Sequence, residues 1–295
     1  MEFWQSLLLG LVEGITEYLP VSSTGHLLFT QRLMGIGLAD DKTAADAFAI
    51  SIQGGAIAAV MGLYYKQVWQ MFLGLMGKSP AGLQLLLRLI VAFLPAALAA
   101  LTLEKWIKAH LFGIQPIIVA WFTGGALILA VGWWKRRNQG KENELSLAEM
   151  TWRMALVIGL LQCVAMWPGT SRSLMTIVGG ILVGLRPKDA VEFSFLLGVM
   201  TLGAATAKDT IEYGPLMLET FGVGNLLIGF MASTISAALA VKWLVSYLQK
   251  HSMEVFGWYR ITIALIAAIL VATGVLHEKK NVMNTTSASI PPSNH

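Results

Sequence analysis

Apolar residues fill the chain in long blocks. Polar residues fall between the blocks or in two tight clusters inside them. A helix that crosses a bilayer needs about 20 mostly apolar residues. Six segments meet that need: 44–64, 84–101, 114–134, 189–207, 222–247 and 257–276. Two further apolar stretches, 3–34 and 152–185, differ from these. A proline and a group of small polar residues break each near its middle, as LPVSSTGH in the first and WPGTSRS in the second. Each half is too short to span, so each stretch predicts a re-entrant helical hairpin that returns to the side it entered from. Broken backbone at that depth is tolerated only against protein or a water-filled cavity. The expected fold is an all-α polytopic membrane protein of six transmembrane helices plus two re-entrant hairpins. It forms a single domain over residues 1–276. The polar stretch 277–295, rich in Ser, Asn and Pro, reads as a disordered tail.

Composition supports a lipid environment. Of 295 residues, 56% are hydrophobic and 13% charged, where a soluble domain carries about 25% charged. The mean hydropathy is +0.65. A net charge of +4 is too small to point to nucleic acid. Cys163 is the single cysteine, so no intramolecular disulfide forms, and a small buried hydrophobe is the expected role. The N-terminus lacks a basic region and Glu13 interrupts its apolar run, unlike a cleaved signal peptide. The basic cluster WWKRRNQGK at 133–141, with Lys66, Lys78, Arg186, Lys188 and Lys250, marks the cytoplasmic side. The N-terminus, the loop with Glu104, Lys105 and Lys108, the acidic loop with Asp209, Glu212 and Glu219, and the C-terminus then lie opposite. Lys279 and Lys280 point the other way.

An internal repeat links the two broken stretches. GLVEGITEYLPVSSTGH from Gly10 lines up with GLLQCVAMWPGTSRSL from Gly159 when one residue is skipped before the proline. That register pairs Gly10, Pro20 and Ser23 with Gly159, Pro168 and Ser171. Further on, DAFAISIQGG from Asp46 matches DAVEFSFLLG from Asp189, pairing Ser51 with Ser194 and Gly55 with Gly198. Three spans separate the hairpins, so the halves, about 1–134 and 152–276, have opposite topology. Their polar tips are expected to meet near the midplane, the inverted-repeat arrangement of many transporters.

The tips hold the candidate chemistry. Glu13 and Glu17 share one helix face. A charge at the bilayer centre costs about 2.5–3.5 kcal/mol on insertion scales, and two like charges a turn apart call for a cation or a proton. The pair reads as a divalent-cation site or an acid/base pair; a helix lying at the interface with its carboxylates in water is the plainer alternative. Pro20 ends the first helix, and Ser22, Ser23 or Thr24 caps the next. Free N–H groups at that start attract anions. His26 follows closely, and a serine near a histidine can be a nucleophile with its base. In the second tip, Arg172 lies between Ser171 and Ser173. Its planar fork suits phosphate, and a resting pair with Glu13 or Glu17 is compatible with that role. Together these groups describe a phosphoryl-transfer site. A phosphorylated substrate that shares the membrane is a lipid phosphate. The rival class is an inverted-repeat transporter or flippase that binds such a lipid without cleaving it.

Other polar positions carry less. Glu192 lies within a span, either lining the same cavity or serving a buried structural bond. Gln53 and Gln162 read as interhelical glue, and Ser51 and Ser194 as close-packing positions. Trp4, Trp69, Trp133, Trp134, Trp152, Trp243 and Trp258 sit near span ends as interfacial anchors. No Walker A loop, Rossmann fingerprint, HExxH or cysteine metal cluster occurs.

EGITEYLPVSSTGH and PGTSRS together resemble the two signatures of the bacterial undecaprenyl-diphosphatase family, which confers bacitracin resistance. The resemblance runs from about Gly10 to the last span and includes EFSFLLG at 192–198. It implies an integral membrane enzyme of six spans and two re-entrant hairpins. That enzyme hydrolyses undecaprenyl diphosphate to the monophosphate and phosphate with Mg²⁺ or Ca²⁺, recycling the lipid carrier of peptidoglycan synthesis. It implies the bacterial plasma membrane and an active site facing outward. Residue by residue, the acidic pair falls on Glu13 and Glu17 and the proposed nucleophile on Ser23. Ser22 and Thr24 flank it, and the histidine falls on His26. The second motif gives Ser171, Arg172, Ser173 and Thr176. The chain departs at Leu174 and Met175, where the family carries a small pair, and at Ala49, where a glutamate is common. Leu174 is expected to narrow the approach to phosphate.

Overall fold

The computed structural model describes residues 1–36, 42–137 and 144–274. The tail at 277–295 and Lys141, Lys279 and Lys280 lie outside the described residues. Ten α-helices follow in order: α1 (Phe3–Glu17), α2 (Ser23–Leu33), α3 (Lys42–Leu63), α4 (Tyr65–Leu75), α5 (Pro80–His110), α6 (Ile114–Arg137), α7 (Trp152–Val164), α8 (Arg172–Leu182), α9 (Pro187–Leu248) and α10 (Glu254–Ala272). Among the described residues there is no strand, only a single bridge between Leu145 and Leu185.

Among the described residues four helices are long and apolar enough to cross a membrane: α6, α9, α10 and Pro80–Leu103 of α5. A fifth is counted if Ala47–Leu63 and Tyr65–Leu75, bent by 80° at Tyr64, form one span. At 62 residues α9 reaches roughly three times the hydrocarbon thickness at ~1.5 Å per residue. It is divided at Gly222, whose φ of 70° and ψ of 160° are not helical. The sequence expectation ends the fourth span at 207 and begins the fifth at 222. The observed helix instead continues through the acidic stretch 208–221. Large apolar side chains face outward, with Leu101 84% and Ile211 83% exposed. Such an exterior suits lipid rather than water.

Both expected breaks are present. α1 stops at Glu17 and α2 starts at Ser23, while α7 stops at Val164 and α8 starts at Arg172. Each restart is entered through a serine in the left-handed region, Ser22 (φ 75°) and Ser171 (φ 78°). These two serines are therefore the equivalent positions, and the register that pairs Ser23 with Ser171 is off by one. An ungapped register from Gly10 and Gly159 pairs Glu13 with Gln162, Pro20 with Gly169, Ser22 with Ser171 and Ser23 with Arg172. The prolines misled the alignment because they stand one place apart within turns that reach the same endpoint.

The matched glycines do matching work. A Cβ at Gly10 would strike the carbonyl of Gly229, and one at Gly159 the carbonyl of Ala92. So α1 is pressed onto the second limb of α9, and α7 onto α5, each in the opposite half. In the main core Tyr18, Val21, Leu89, Ile158, Ile177, Phe193, Phe195 and Leu244 pack together. Leu174 and Met175 are both buried in this cluster. The Leu174 side chain is thus directed into the core, and its N–H is capped by Ser171 Oγ at 3.2 Å, so the departure leaves the start of α8 intact. Its expected narrowing of the phosphate approach has no support in this placement.

Candidate active site

The tips meet. Arg172 Nη2 donates to Glu17 Oε1 at 3.0 Å, and Ser23 Oγ donates to Glu17 Oε2. One carboxylate therefore joins the first residue of α2 to the first residue of α8. Both partners of the ion pair are secluded, with side-chain exposures of 11% for Arg172 and 6% for Glu17. Arg172 Nη1 donates to Ser194 O at 3.0 Å, its Nε is buried without a partner, and its Cζ lies 5.3 Å from the centre of the Tyr18 ring. A planar cation with one face on an aromatic ring and its Nε–H unpartnered is poised for an anion.

The hydroxyls divide into two groups. Ser171 Oγ is 3.0 Å from Ser173 Oγ, Ser173 Oγ donates to Leu19 O at 2.9 Å, and Thr176 Oγ1 lies 2.6 Å from Ser194 Oγ and donates to Arg172 O at 2.9 Å. These bonds tie α8 to the turn after α1 and to α9. Ser22 is buried but gives α2 no side-chain cap, which leaves the helix start open to an anion. Thr24 stands exposed on the first turn of α2.

His26 points elsewhere. Nδ1 is 2.7 Å from Ser22 O, and Nε2 is 2.8 Å from Tyr259 Oη. The ring stacks on Tyr259 at 5.8 Å with the planes 6° apart. The partner of Ser23 is Glu17 and not His26. With Nδ1–H donating to the carbonyl, Nε2 is the acceptor for the tyrosine hydroxyl.

Glu13 is 1% exposed, and neither of its oxygens has a partner. The Glu17 carboxyl lies beside it, and two buried carboxyls side by side call for a shared proton or a cation. Among the described residues no group of three or more His, Cys, Asp or Glu forms a metal cage. Two carboxylates suit a hard cation that completes its shell with phosphate oxygens and water, as Mg²⁺ usually does.

The remaining positions sort as follows. Glu192 accepts from Gln67 Nε2 at 2.9 Å, which satisfies the structural reading. Gln53 Oε1 accepts from Thr206 at 3.3 Å, as interhelical glue would. Gln162 does not behave so: it is 3% exposed and neither amide atom has a partner. It is the repeat counterpart of Glu13 and shares its unmet state. Of the seven expected anchors, Trp4, Trp69, Trp133, Trp152, Trp243 and Trp258 are at least half exposed and Trp134 is half-buried. Tyr18, Ser194, Tyr259 and Arg260 are the site residues that sequence reasoning missed. For Arg260 a signal existed, since a cation inside the 257–276 span carries the same warning as Arg172.

Fold and site define a multi-pass, helical membrane protein in which two broken helical stretches share one buried polar centre. The family model for bacitracin resistance protein BacA matches residues 6–266, and the chain belongs to that family. It is 42% identical over 272 residues to undecaprenyl-diphosphatase 2 of Rhodospirillum rubrum, covering 92% of this chain and 96% of the relative. It is also 42% identical to the undecaprenyl-diphosphatase of Sorangium cellulosum (90% of this chain, 85% of the relative). The undecaprenyl-diphosphatase of Methylococcus capsulatus is 42% identical as well (90% and 93%).

Proposed function

We propose that this protein hydrolyses undecaprenyl diphosphate to undecaprenyl phosphate and phosphate. The observation that carries the reading is the chain Ser23–Glu17–Arg172, which joins a hydroxyl, a carboxylate and a guanidinium from two separate tips. The diphosphate enters between the starts of α2 and α8. Arg172 exchanges Glu17 for the terminal phosphate, while Ser22 and the free N–H groups of α2 hold its oxygens. Ser171, Ser173 and Thr176 keep the start of α8 in place, and Thr24 meets the lipid-bound phosphate from the exposed side.

Glu17, relieved of its cation, takes the proton of Ser23. Ser23 Oγ then bonds to the terminal phosphorus as the bridging P–O bond breaks and undecaprenyl phosphate leaves. In the second step water bonds to that phosphorus and passes its proton to Glu17 as Glu17 returns the serine's proton, while His26, held between Ser22 O and Tyr259 Oη, supports the start of α2. Ser23 leaves and regains its proton from Glu17. Glu13 would hold a divalent cation, Mg²⁺ or Ca²⁺, which Glu17 would share until it takes the serine proton. Such an ion supplies charge neutralisation at the phosphate oxygens.

Six spans (α3, α5, α6, the two limbs of α9, and α10) with two re-entrant hairpins of opposite entry complete the reading. The matched glycine crossings and the matched left-handed serines support it. Reaction at the outer face of the bacterial plasma membrane is what the resemblance to the family implies, and the basic last turn of α6 supports only a cytoplasmic placement of that helix end. That location returns the carrier to peptidoglycan synthesis and opposes bacitracin. The inverted repeat also fits a transporter or flippase. The assay gives purified protein in detergent undecaprenyl diphosphate with and without Mg²⁺ or Ca²⁺. Cation-dependent phosphate release is the expected result. In liposomes, lipid transfer without release would favour the transporter instead.

A further inference from the structure

Arg260, on α10, is 0% exposed and is the bulkiest of the fully buried side chains. Its guanidinium donates to Trp121 O at 3.3 Å from Nε, to Pro20 O at 3.2 Å from Nη1, and to Ala120 O at 2.8 Å and Gly169 O at 2.8 Å from Nη2. All four acceptors are backbone carbonyls, drawn from α6 and from the turns after α1 and α7. No Asp or Glu pairs with Arg260 among the described residues. A buried cation without a counter-ion is costly to hold, and what it gives here is donors to four carbonyls, two of them in the turns of the tips.

Its position explains it. Pro20 and Gly169 are the equivalent residues of the two repeat halves in the ungapped register. Pro20 lies just before Ser23, and Gly169 just before Arg172. One flat, rigid fork thus bonds the same carbonyl in both tips. Gly124 leaves the room: a Cβ there would strike Nη2, Cζ and Nε of Arg260.

We infer that Arg260 is a positioning residue of the phosphatase site, a clamp that sets the start of α2 against the start of α8 and so sets Ser23 against Arg172. It bonds backbone only and acts through the tips. A lysine in its place keeps the charge but presents three donors from one point, and cannot serve carbonyls of three segments at once.

The inference rests on the proposed phosphatase activity, so its test has one arm that needs none. Spin labels are placed at Thr24→Cys and Val164→Cys in a Cys163→Ser background, and the distance between the tips is measured. Arg260→Lys and Gly124→Ala, which displaces the fork without removing it, are compared with the parent. The expected result is a broadened distance distribution in both. A distribution as narrow as the parent's in the folded protein overturns the inference. In the second arm, kcat per folded molecule falls about 100-fold, the scale of a 1 Å misplacement. KM stays within about threefold, since transition-state geometry and not ground-state binding is lost. Normal kcat in both variants also overturns it. Absence of phosphate release from the parent counts against the phosphatase reading, and the distance arm then decides the clamp by itself.

Discussion

Arg172 on α8 meets Glu17 on α1 at 3.0 Å across 155 residues of sequence. This contact makes one site of two tips. Breaking a buried pair by removing one partner costs about 3–5 kcal/mol, because the other charge is left alone. Arg172→Met should therefore lower stability by that order. The double variant with Glu17→Gln should recover most of the loss. Thermal unfolding in detergent checks both, and an undiminished loss in the double variant would show that the pair is not the unit that matters.

Gly198 leaves room for the same arginine. A Cβ there would strike Nη1, Nη2 and Cζ of Arg172. Gly198→Ala should keep the fold, since the obstructed group is the end of a flexible side chain. It should still reduce phosphate release by about 10- to 100-fold through misplacement. Release at the parent rate would place Arg172 outside the reaction.

Glu13→Gln separates function from stability. Glu13 is buried beside the Glu17 carboxyl with no donor to its oxygens, and two like charges there are unfavourable without a cation. The variant should be at least as stable as the parent without cation, and its residual activity should no longer rise with Mg²⁺ or Ca²⁺. A cation response equal to the parent's would remove Glu13 from the metal site.

Ser22 and Ser171 hold left-handed backbone that glycine adopts freely. Such a conformation costs a non-glycine residue of order 1–3 kcal/mol. Ser22→Gly should raise the melting temperature while lowering activity, because its hydroxyl caps nothing in the fold. Ser171→Gly relieves the same strain but loses the bond to the Leu174 N–H. It should change stability by less than about 1 kcal/mol. Differential scanning fluorimetry with a parallel phosphate assay distinguishes the two.

Much of the site was legible because its groups stand out against an apolar chain. Glu13, Glu17 and Arg172 are conspicuous where charges are costly, and the paired breaks announce the tips. The pairing of Arg172 with a carboxylate followed from the same cost. Side-chain direction was not legible. Ser23 and His26 are close in sequence, yet the serine turns to Glu17 and the imidazole to Tyr259. Three residues along a helix start do not fix where two side chains meet. Ser194 escaped because its carbonyl, not its hydroxyl, takes the arginine. The repeat register slipped because prolines were aligned, whereas the backbone conserves the left-handed serines.

The most direct test of one site built from two tips is phosphate release from undecaprenyl diphosphate by the purified parent and by Arg172→Ala. The parent should release phosphate in a cation-dependent way. The variant should be slower by about 10²–10³-fold, the usual loss when one preorganised donor to a developing charge is removed. Equal rates, or no release by the parent, would contradict the account.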